Sequence, residues 1–297
     1  MEPSSFSLVP AAQLPYDHLA RLINQTFADY YLTVWLDAYQ FERMCYEEDI
    51  DLTKSVVAMV NDVPVGISLF SIRDSQGWIS GVGVLPLWRR RGVAIRILHH
   101  IQAVARSDKL ANLRLEVLTQ NAGALALYRQ LGFRWERDLL VLTLEPGLFS
   151  YLSPPPGILR ADPDTLLKAY HRFHSMRNPW QRELPSLEHR KKHLFGWGMW
   201  ENDVLVAYIL THIQSGNYAI ADLAVDPQLP HRLQLARTLL LALHTERPDM
   251  GCHILNVPTE SPLLPAFTGL SYRIWHRQHE MIWLVPDAHP LIQPEGD

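Results

Sequence analysis

The spacing of apolar residues along the first half of the chain changes repeatedly between the period of a helix and that of a strand. Leu19, Leu22, Ile23 and Phe27 recur at helical spacing and predict an amphipathic helix over residues 16–31. Short β-rich runs separated by turn residues predict strands. The predicted strands cover residues 6–10, 55–60, 65–72, 78–85, 113–118 and 139–144, and the predicted helices cover residues 16–31, 37–48, 92–107 and 122–131.

A proline- and glycine-rich segment follows these elements. Residues 146–157 include three consecutive prolines and two glycines, which favour an extended connector over regular structure. A chain of 297 residues also exceeds the size at which one core usually keeps growing. We therefore predict two domains, at residues 1–146 and 158–297, joined by a linker at 147–157.

The second half repeats the order of elements of the first. It contains predicted strands at residues 158–160, 204–212, 218–225 and 253–257, and predicted helices at residues 163–177 and 233–245. Val84-Leu85-Pro86 aligns with Val225-Asp226-Pro227, which lies 141 positions later. A repeat of this length indicates a duplicated domain, since the repeats of solenoid proteins are about 20 to 50 residues long.

Composition restricts the class of protein. The chain is 47% hydrophobic and 20% charged, with a net charge of -4 and a pI of about 6.4, so no global basic surface favours nucleic acid as a partner. No run reaches the ~18 apolar residues that a membrane span needs. The two cysteines are far apart and the histidine pairs lack further ligands, so we expect no metal site, no membrane partner and a cytoplasmic location.

Residues 82–94 run from an apolar strand through a basic turn into a helix. The first N–H groups of a helix lack intrahelical partners and attract anions, and Gly92 permits close approach of a phosphate to the backbone. The alternative is a solvated basic turn. The candidate cofactor contacts in this segment are Val82, Val84, Leu85, Arg89, Arg90, Arg91, Gly92, Val93 and Ala94.

A second segment begins at Asn121, which occupies the capping position of the predicted helix 122–131. Tyr128 lies two turns later on roughly the same face. Its ordinary pKa of about 10 keeps the phenol protonated at neutral pH, so it can donate a proton to a departing thiolate. Core packing of this tyrosine is the alternative.

Together the two segments resemble the GNAT superfamily of acyl-coenzyme A-dependent N-acyltransferases. Its pyrophosphate signature is matched by Arg89, Gly92 and Ala94, and its later signature is matched by Asn121, Ala124, Leu127, Tyr128, Gly132 and Phe133. The resemblance implies an α+β protein of two GNAT-like domains, each a mixed, mostly antiparallel sheet flanked by helices.

The resemblance also implies a reaction, in which an acetyl group passes directly from acetyl-CoA to a primary amine of a small molecule or peptide. A backbone N–H near Val84 and Leu85 would polarise the thioester carbonyl. Asn121 and Ala124 would contact the cofactor arm, and Tyr128 would be the general acid. The protein is expected to be a monomer or homodimer.

The general base is open at the level of sequence. Alternation along residues 113–118 places Arg114 and Glu116 on one face of the strand. Glu116 resembles the catalytic glutamate of the ribosomal-protein alanine acetyltransferases, whereas the alternatives are a glutamate paired with an arginine and a base made by water. Tyr30, Tyr31 and Trp35 either form an acceptor wall or pack into the core.

The second copy departs from the pattern, because Pro230, Leu233 and Leu235 replace the positions of Arg89, Gly92 and Ala94. We therefore predict a degenerate domain that is structural or binds the acceptor. A non-catalytic acyl-CoA sensor is the rival function for the whole chain.

Overall fold

A computed structural model describes residues 5–32, 34–149 and 155–286. The chain divides into two compact units, the first made of residues 1–136 and 280–297 and the second of residues 137–279. Each has its own set of strands and its own apolar cores. The α+β class predicted from the sequence is confirmed. Among the described residues no helix is long and apolar enough to cross a membrane.

The strands of unit 1 follow the order β1-β2-β3-β4-β5-β12, and helices lie on both of their faces. Its elements are β1 (Phe6–Pro10), α1 (Tyr16–Thr26), α2 (Ala38–Glu47), β2 (Val56–Val60), β3 (Val63–Arg73), β4 (Gln76–Val84), α3 (Val93–Ser107), β5 (Asn112–Leu118), α4 (Ala122–Gln130) and the end of β12 (Arg273–Leu284).

Apolar residues on the two faces of this sheet bury different helices. The buried Ile97 and Ile101 of α3 pack with β-strand residues on one face, and Leu19 and Ile23 of α1 pack with Phe41 of α2 on the other. β1 to β4 pair antiparallel, whereas β4 and β5 pair parallel. The result is the mixed, mostly antiparallel sheet that the sequence predicts.

Unit 2 repeats this arrangement, with strand order β6-β11-β10-β9-β8-β7. Its elements are β6 (Arg134–Leu144), β7 (Ile158–Ala161), α5 (Pro163–Leu167), α6 (Tyr170–Phe173), α7 (Leu184–Arg190), β8 (Phe195–Glu201), β9 (Val204–Gln214), β10 (Asn217–Val225), α8 (Arg232–Glu246), β11 (Cys252–Pro258) and α9 (Leu264–Thr268). Only β10 and β11 pair parallel among its described ladders.

The compact units do not coincide with the domains 1–146 and 158–297 predicted from the sequence. β6 follows α4 in the chain, yet it pairs with β11 of unit 2, while β12, from the end of the repeat, lies beside β5 in unit 1. The amide of Val285, just after β12, donates to the carbonyl oxygen of Ala111 at 3.1 Å.

Several element boundaries also differ from those predicted. The first helix ends at Thr26 rather than residue 31, because the chain turns there and Phe27 packs edge-on against Tyr30. The predicted helix 163–177 is instead the two short helices α5 and α6. The part of the predicted linker at residues 150–154 lies outside the described residues.

The strand β8 has no counterpart among the predicted elements. Its glycines weakened the strand signal, but they serve packing: a Cβ on Gly196 would lie 2.5 Å from a methyl carbon of Leu166 in α5. The short helix α5 can therefore lie directly on β8.

Candidate active site

The site begins with a gap between two parallel strands of unit 1. β4 and β5 pair over only three residues, from Gln76 opposite Asn112 to Trp78 opposite Arg114. Beyond that point their carboxyl ends are unpaired with each other. Since α3 follows β4 and α4 follows β5, the first turns of both helices lie at this end of the strand pair.

Backbone donors of β4 face this gap. The N–H of Leu85 donates to the carbonyl oxygen of Val65 in β3 at 2.9 Å, so it is engaged on the other side. Donors alternate in direction along an antiparallel ladder, which turns the N–H groups of Val84 and Val82 away from β3. A bulge between Ile79 and Gly81 also interrupts the ladder. Of the predicted strand contacts, Val82 and Val84 therefore have the required direction and Leu85 does not.

The turn after β4 forms a concave run of amides. Arg90 and Gly92 both have positive φ, of 63° and 79°, whereas Arg91 between them does not. Left-handed residues that alternate with right-handed ones direct successive backbone N–H groups toward one point. Gly92 is the N-cap of the fifteen-residue α3, and no side chain caps that helix. A Cβ added at Gly92 would have no described protein atom within 4 Å.

These observations test whether a diphosphate fits. The space above Gly92 is open, and the N–H groups of Val93 and Ala94 belong to the first turn, where an α-helix provides no acceptor. The exposed Arg90 and Arg91 add positive charge. The residues present therefore fit the pyrophosphate of a coenzyme A group.

Arg89 has a different role from the other two arginines. Its guanidinium pairs with the Asp29 carboxylate at 2.6 Å through both terminal nitrogens and also donates to the carbonyl oxygens of Val84 and Thr26. Asp29 raises the pKa of Arg89, and Arg89 lowers the pKa of Asp29. Four of its five donor hydrogens are thus spent on protein groups. Its side chain ties the end of α1 to the end of β4 rather than facing a phosphate.

The start of α4 brings together Asn121, Tyr30 and Tyr128. The Asn121 Oδ1 accepts from the N–H of Ala124 at 3.2 Å, as expected for an N-cap. Burial raises the pKa of Tyr30, and a hydrogen bond to Asn121 partly opposes it. Burial also raises the pKa of Tyr128, and nearby Tyr30 adds to this shift. Tyr128 therefore remains protonated throughout the physiological range.

Glu116 is partly buried on the face of β5 opposite Leu115 and Val117, as the alternation predicts. Its Oε2 accepts from the indole N–H of the buried Trp78 at 2.8 Å. Arg114 forms a bidentate pair with Glu136 at 2.8 and 3.0 Å. The carboxylate that pairs with this arginine is therefore that of Glu136.

A second carboxylate near the β4 bulge was missed in the sequence. Glu48 follows α2, and its Oε2 accepts from the hydroxyl of Ser80, the bulged residue of β4, at 3.4 Å. The two residues are 32 positions apart, so no local spacing could have indicated the pair. Tyr31 is half exposed and donates to the Gln120 carbonyl oxygen at 3.3 Å.

Unit 2 keeps the strand geometry but lacks the concave run of amides that follows β4 in unit 1. The N–H of Asp226 donates to the Val206 carbonyl oxygen at 2.9 Å, as that of Leu85 does to Val65. However, α8 begins after Pro230, and its N-cap His231 has a φ of -96°. This turn has no left-handed glycine to open the backbone.

Unit 1 has a gap between two parallel strands, and the first turns of two helices lie at the carboxyl end of that gap. Together with the duplicated fold, this arrangement defines a tandem acyltransferase. Two segments of the chain, residues 20–133 and 164–267, match the model of the Acetyltransferase (GNAT) family. Because they span well over half of the chain, this protein belongs to that family. The resemblance drawn from the sequence signatures is confirmed.

Solved structures agree in fold. A GCN5-related N-acetyltransferase from Sphaerobacter thermophilus superposes with a TM-score of 0.73 at 17% identity, covering 96% of this chain and 97% of the other. A tandem GNAT protein from the clavulanic acid biosynthesis pathway gives a TM-score of 0.72 at 14% identity, covering 96% and 99%. A putative acetyltransferase from Pyrococcus horikoshii gives 0.66 at 13%, covering 98% and 92%. No curated protein matches this chain significantly.

Proposed function

We propose that unit 1 transfers an acetyl group from acetyl-CoA to a primary amine of a small molecule or peptide. The observation that carries the proposal is the gap between β4 and β5, because the Val84 amide, the open turn at Gly92 and the first turn of α4 all lie at its carboxyl end. Bound acetyl-CoA supplies an acyl thioester. The protein's own residues then bind, orient and move protons.

The Val84 N–H is the donor toward the thioester carbonyl oxygen. It lies in a strand whose other side is fixed by β3, so its direction is set before substrate arrives. A preorganised donor of this kind stabilises negative charge that develops on the oxygen during attack. The turn at Gly92 and the first N–H groups of α3 would hold the diphosphate, and Asn121 the polar atoms of the arm.

The Tyr128 hydroxyl is the proposed proton donor to the departing sulfur. Its pKa is raised by burial, so it enters the reaction protonated. Removal of the hydroxyl in Tyr128→Phe should lower kcat by about 10²-fold, the lower end for general acid catalysis, with little change in coenzyme A affinity. Thiol release from acetyl-CoA over a panel of primary amines measures kcat, and calorimetry measures affinity.

Tyr39→Phe is the matched control, since Tyr39 is exposed on α2. Equal kcat in Tyr128→Phe, Tyr39→Phe and the wild type would refute the assigned acid. Coenzyme A binding without thiol release for any amine in the panel would instead favour the non-catalytic sensor.

For the base, Glu116 and Glu48 are the two candidate carboxylates near the gap. The amine must lose a proton before it attacks, and removal of the true base by Glu→Gln should alter the acidic limb of the kcat/KM profile against pH. Glu116→Gln and Glu48→Gln are isosteric and can be compared directly. If neither changes that limb, the deprotonation is performed by water.

A further inference from the structure

Unit 2 has a pocket at the place that corresponds to the cofactor gap of unit 1. β10 and β11 pair only from Tyr218 opposite Cys252 to Ile220 opposite Ile254, and their carboxyl ends are unpaired with each other beyond that point. The pocket has a volume of about 50 Å³. It has room for a few water molecules, hence for a ligand of a few heavy atoms and not for a nucleotide.

The lining combines apolar walls with positive charge. Phe173, Leu223 and Leu263 are among its apolar residues, and its charged residues are Arg182 and Arg232. No carboxylate is among the described lining residues. This composition selects an anion that also has an aliphatic part.

Arg182 is more than nine-tenths buried and has unused donors. Its Nη2 pairs with the Asp222 carboxylate at 3.2 Å, and its Nη1 reaches the Asn256 carbonyl oxygen only at 3.5 Å. Its Nε has no hydrogen-bond partner among the described residues. Since a buried donor without a partner is costly, the guanidinium is set to receive an acceptor.

Asp222 balances the charge of Arg182 but accepts a hydrogen bond from only one of its nitrogens, Nη2. Its carboxylate is fully buried and also accepts from Tyr208 and interacts with His174 Nε2, each at 2.8 Å. Asn178 Nδ2 lies 3.2 Å from His174 Nδ1, so the imidazole connects the Asn178 amide to the Asp222 carboxylate. The charges of Arg182 and Asp222 sum to zero.

The remaining charge of the pocket belongs to Arg232 at the start of α8. It donates to the Pro227 carbonyl oxygen at 3.4 Å, and no ion pair to it occurs in the described part of the chain. Arg232 therefore leaves the pocket with a net positive charge. A guanidinium pairs with carboxylate and phosphate oxygens alike, so the apolar walls and the small positive charge of the pocket are what favour a singly charged aliphatic carboxylate over phosphate.

From this cavity and its charges we infer that unit 2 binds a small aliphatic carboxylate between the ends of β10 and β11, independently of the acyl-CoA site proposed in unit 1. The degenerate copy has thus exchanged a phosphate cradle for a carboxylate pocket. This inference does not depend on the transfer reaction, since its test needs no turnover.

The test uses the full chain with ¹³C-methyl-labelled methionines, because Met176 lines the pocket. Its signal is assigned with Met176→Leu and followed during titration with propionate, propionamide and inorganic phosphate. We expect propionate to shift this signal with a Kd of about 1 mM, the affinity expected of a fragment of a few heavy atoms. Propionamide and phosphate should bind at least tenfold more weakly.

Arg232→Gln should weaken propionate binding about tenfold, while Arg237→Gln, the same charge change at an exposed position of α8 outside the lining, should leave it unchanged. Arg232 is partly buried and Arg237 is exposed, so neither change threatens folding as a change of the buried Arg182 would. The inference is overturned if no shift occurs up to about 10 mM propionate. It is equally overturned if propionamide or phosphate binds as well, or if Arg232→Gln has no effect.

Discussion

Gly92 is the residue on which the cofactor assignment depends most directly. Its φ of 79° lies in the left-handed region, where an L-residue is strained by about 1–2 kcal/mol. In a unit of this size a loss of about 1 kcal/mol lowers Tm by about 2–4 °C. Gly92→Ala should therefore be modestly destabilising, a change measurable by thermal denaturation.

The effect on coenzyme A should be much larger than this strain. The new Cβ would enter space that contains no described protein atom within 4 Å, which is the space assigned to the diphosphate. A hydrogen bond to a charged group contributes about 1.5–3 kcal/mol, so loss of one amide contact weakens binding by about ten- to hundredfold. Titration calorimetry with coenzyme A gives this number directly.

Gly216→Ala is the matched control. Gly216 lies in the turn between β9 and β10 with a φ of 78°, and a Cβ there also has no described neighbour within 4 Å. The backbone strain of the two substitutions is therefore alike, and only Gly92→Ala should reduce coenzyme A affinity. The reasoning fails if both variants lose the same stability and both retain wild-type affinity.

Three further changes test the surrounding structure. Gly83→Ala would place its Cβ 2.2 Å from the Thr26 Oγ1, so its free energy of unfolding in urea should fall by about 1–3 kcal/mol. Gly81→Ala, with 3.6 Å to its nearest described neighbour, should lose less stability. Equal losses would contradict the close packing at Gly83. Arg89→Lys replaces a planar group that makes four hydrogen bonds with three donors on one nitrogen, so a lower unfolding midpoint is expected. An unchanged midpoint would argue that Arg89 does not hold α1 and β4 together. Burial lowers the pKa of His244 to about 4, below its unfolded value of 6.5, so its contribution to stability is complete above pH 6.5 and is lost as the pH falls toward 4. His244→Phe should therefore reduce the slope of unfolding free energy against pH in this range, as measured by unfolding at each pH. An unchanged slope would exclude this histidine as its source.

The signatures and the strand periods were predictable from sequence because they depend on local spacing. The alternation of Leu115 and Glu116 and the cap at Asn121 follow from one strand and one helix start, and both are present in the structure. Contacts across long sequence distances were not predictable. The pairing of Arg89 with Asp29 spans 60 positions, and three adjacent arginines look equivalent until the fold assigns one of them to a carboxylate.

The exchange of strands was hidden for a different physical reason. A hydrophobic pattern tells whether a strand is buried on a face, but not which of two similar sheets it joins. β6 and β12 are the last strands of the two copies, and their local patterns carry no information on the strand that each one pairs with. The proline-rich segment therefore marked a connection in the chain, while the compact units divide elsewhere.

The two units share one strand geometry, and the sites proposed for them differ in the turn that follows the strand. Both keep a parallel strand pair that separates after three residues, and in both the first residue after the strand, Leu85 or Asp226, donates a backbone hydrogen bond to the neighbouring strand. The difference begins at the next turn. In unit 1 the left-handed Gly92 begins α3 and is the proposed diphosphate contact, whereas α8 of unit 2 begins after Pro230 and Arg182 lines the pocket there. The diphosphate site proposed for unit 1 and the carboxylate pocket inferred for unit 2 would thus differ in ligand size without a change of fold.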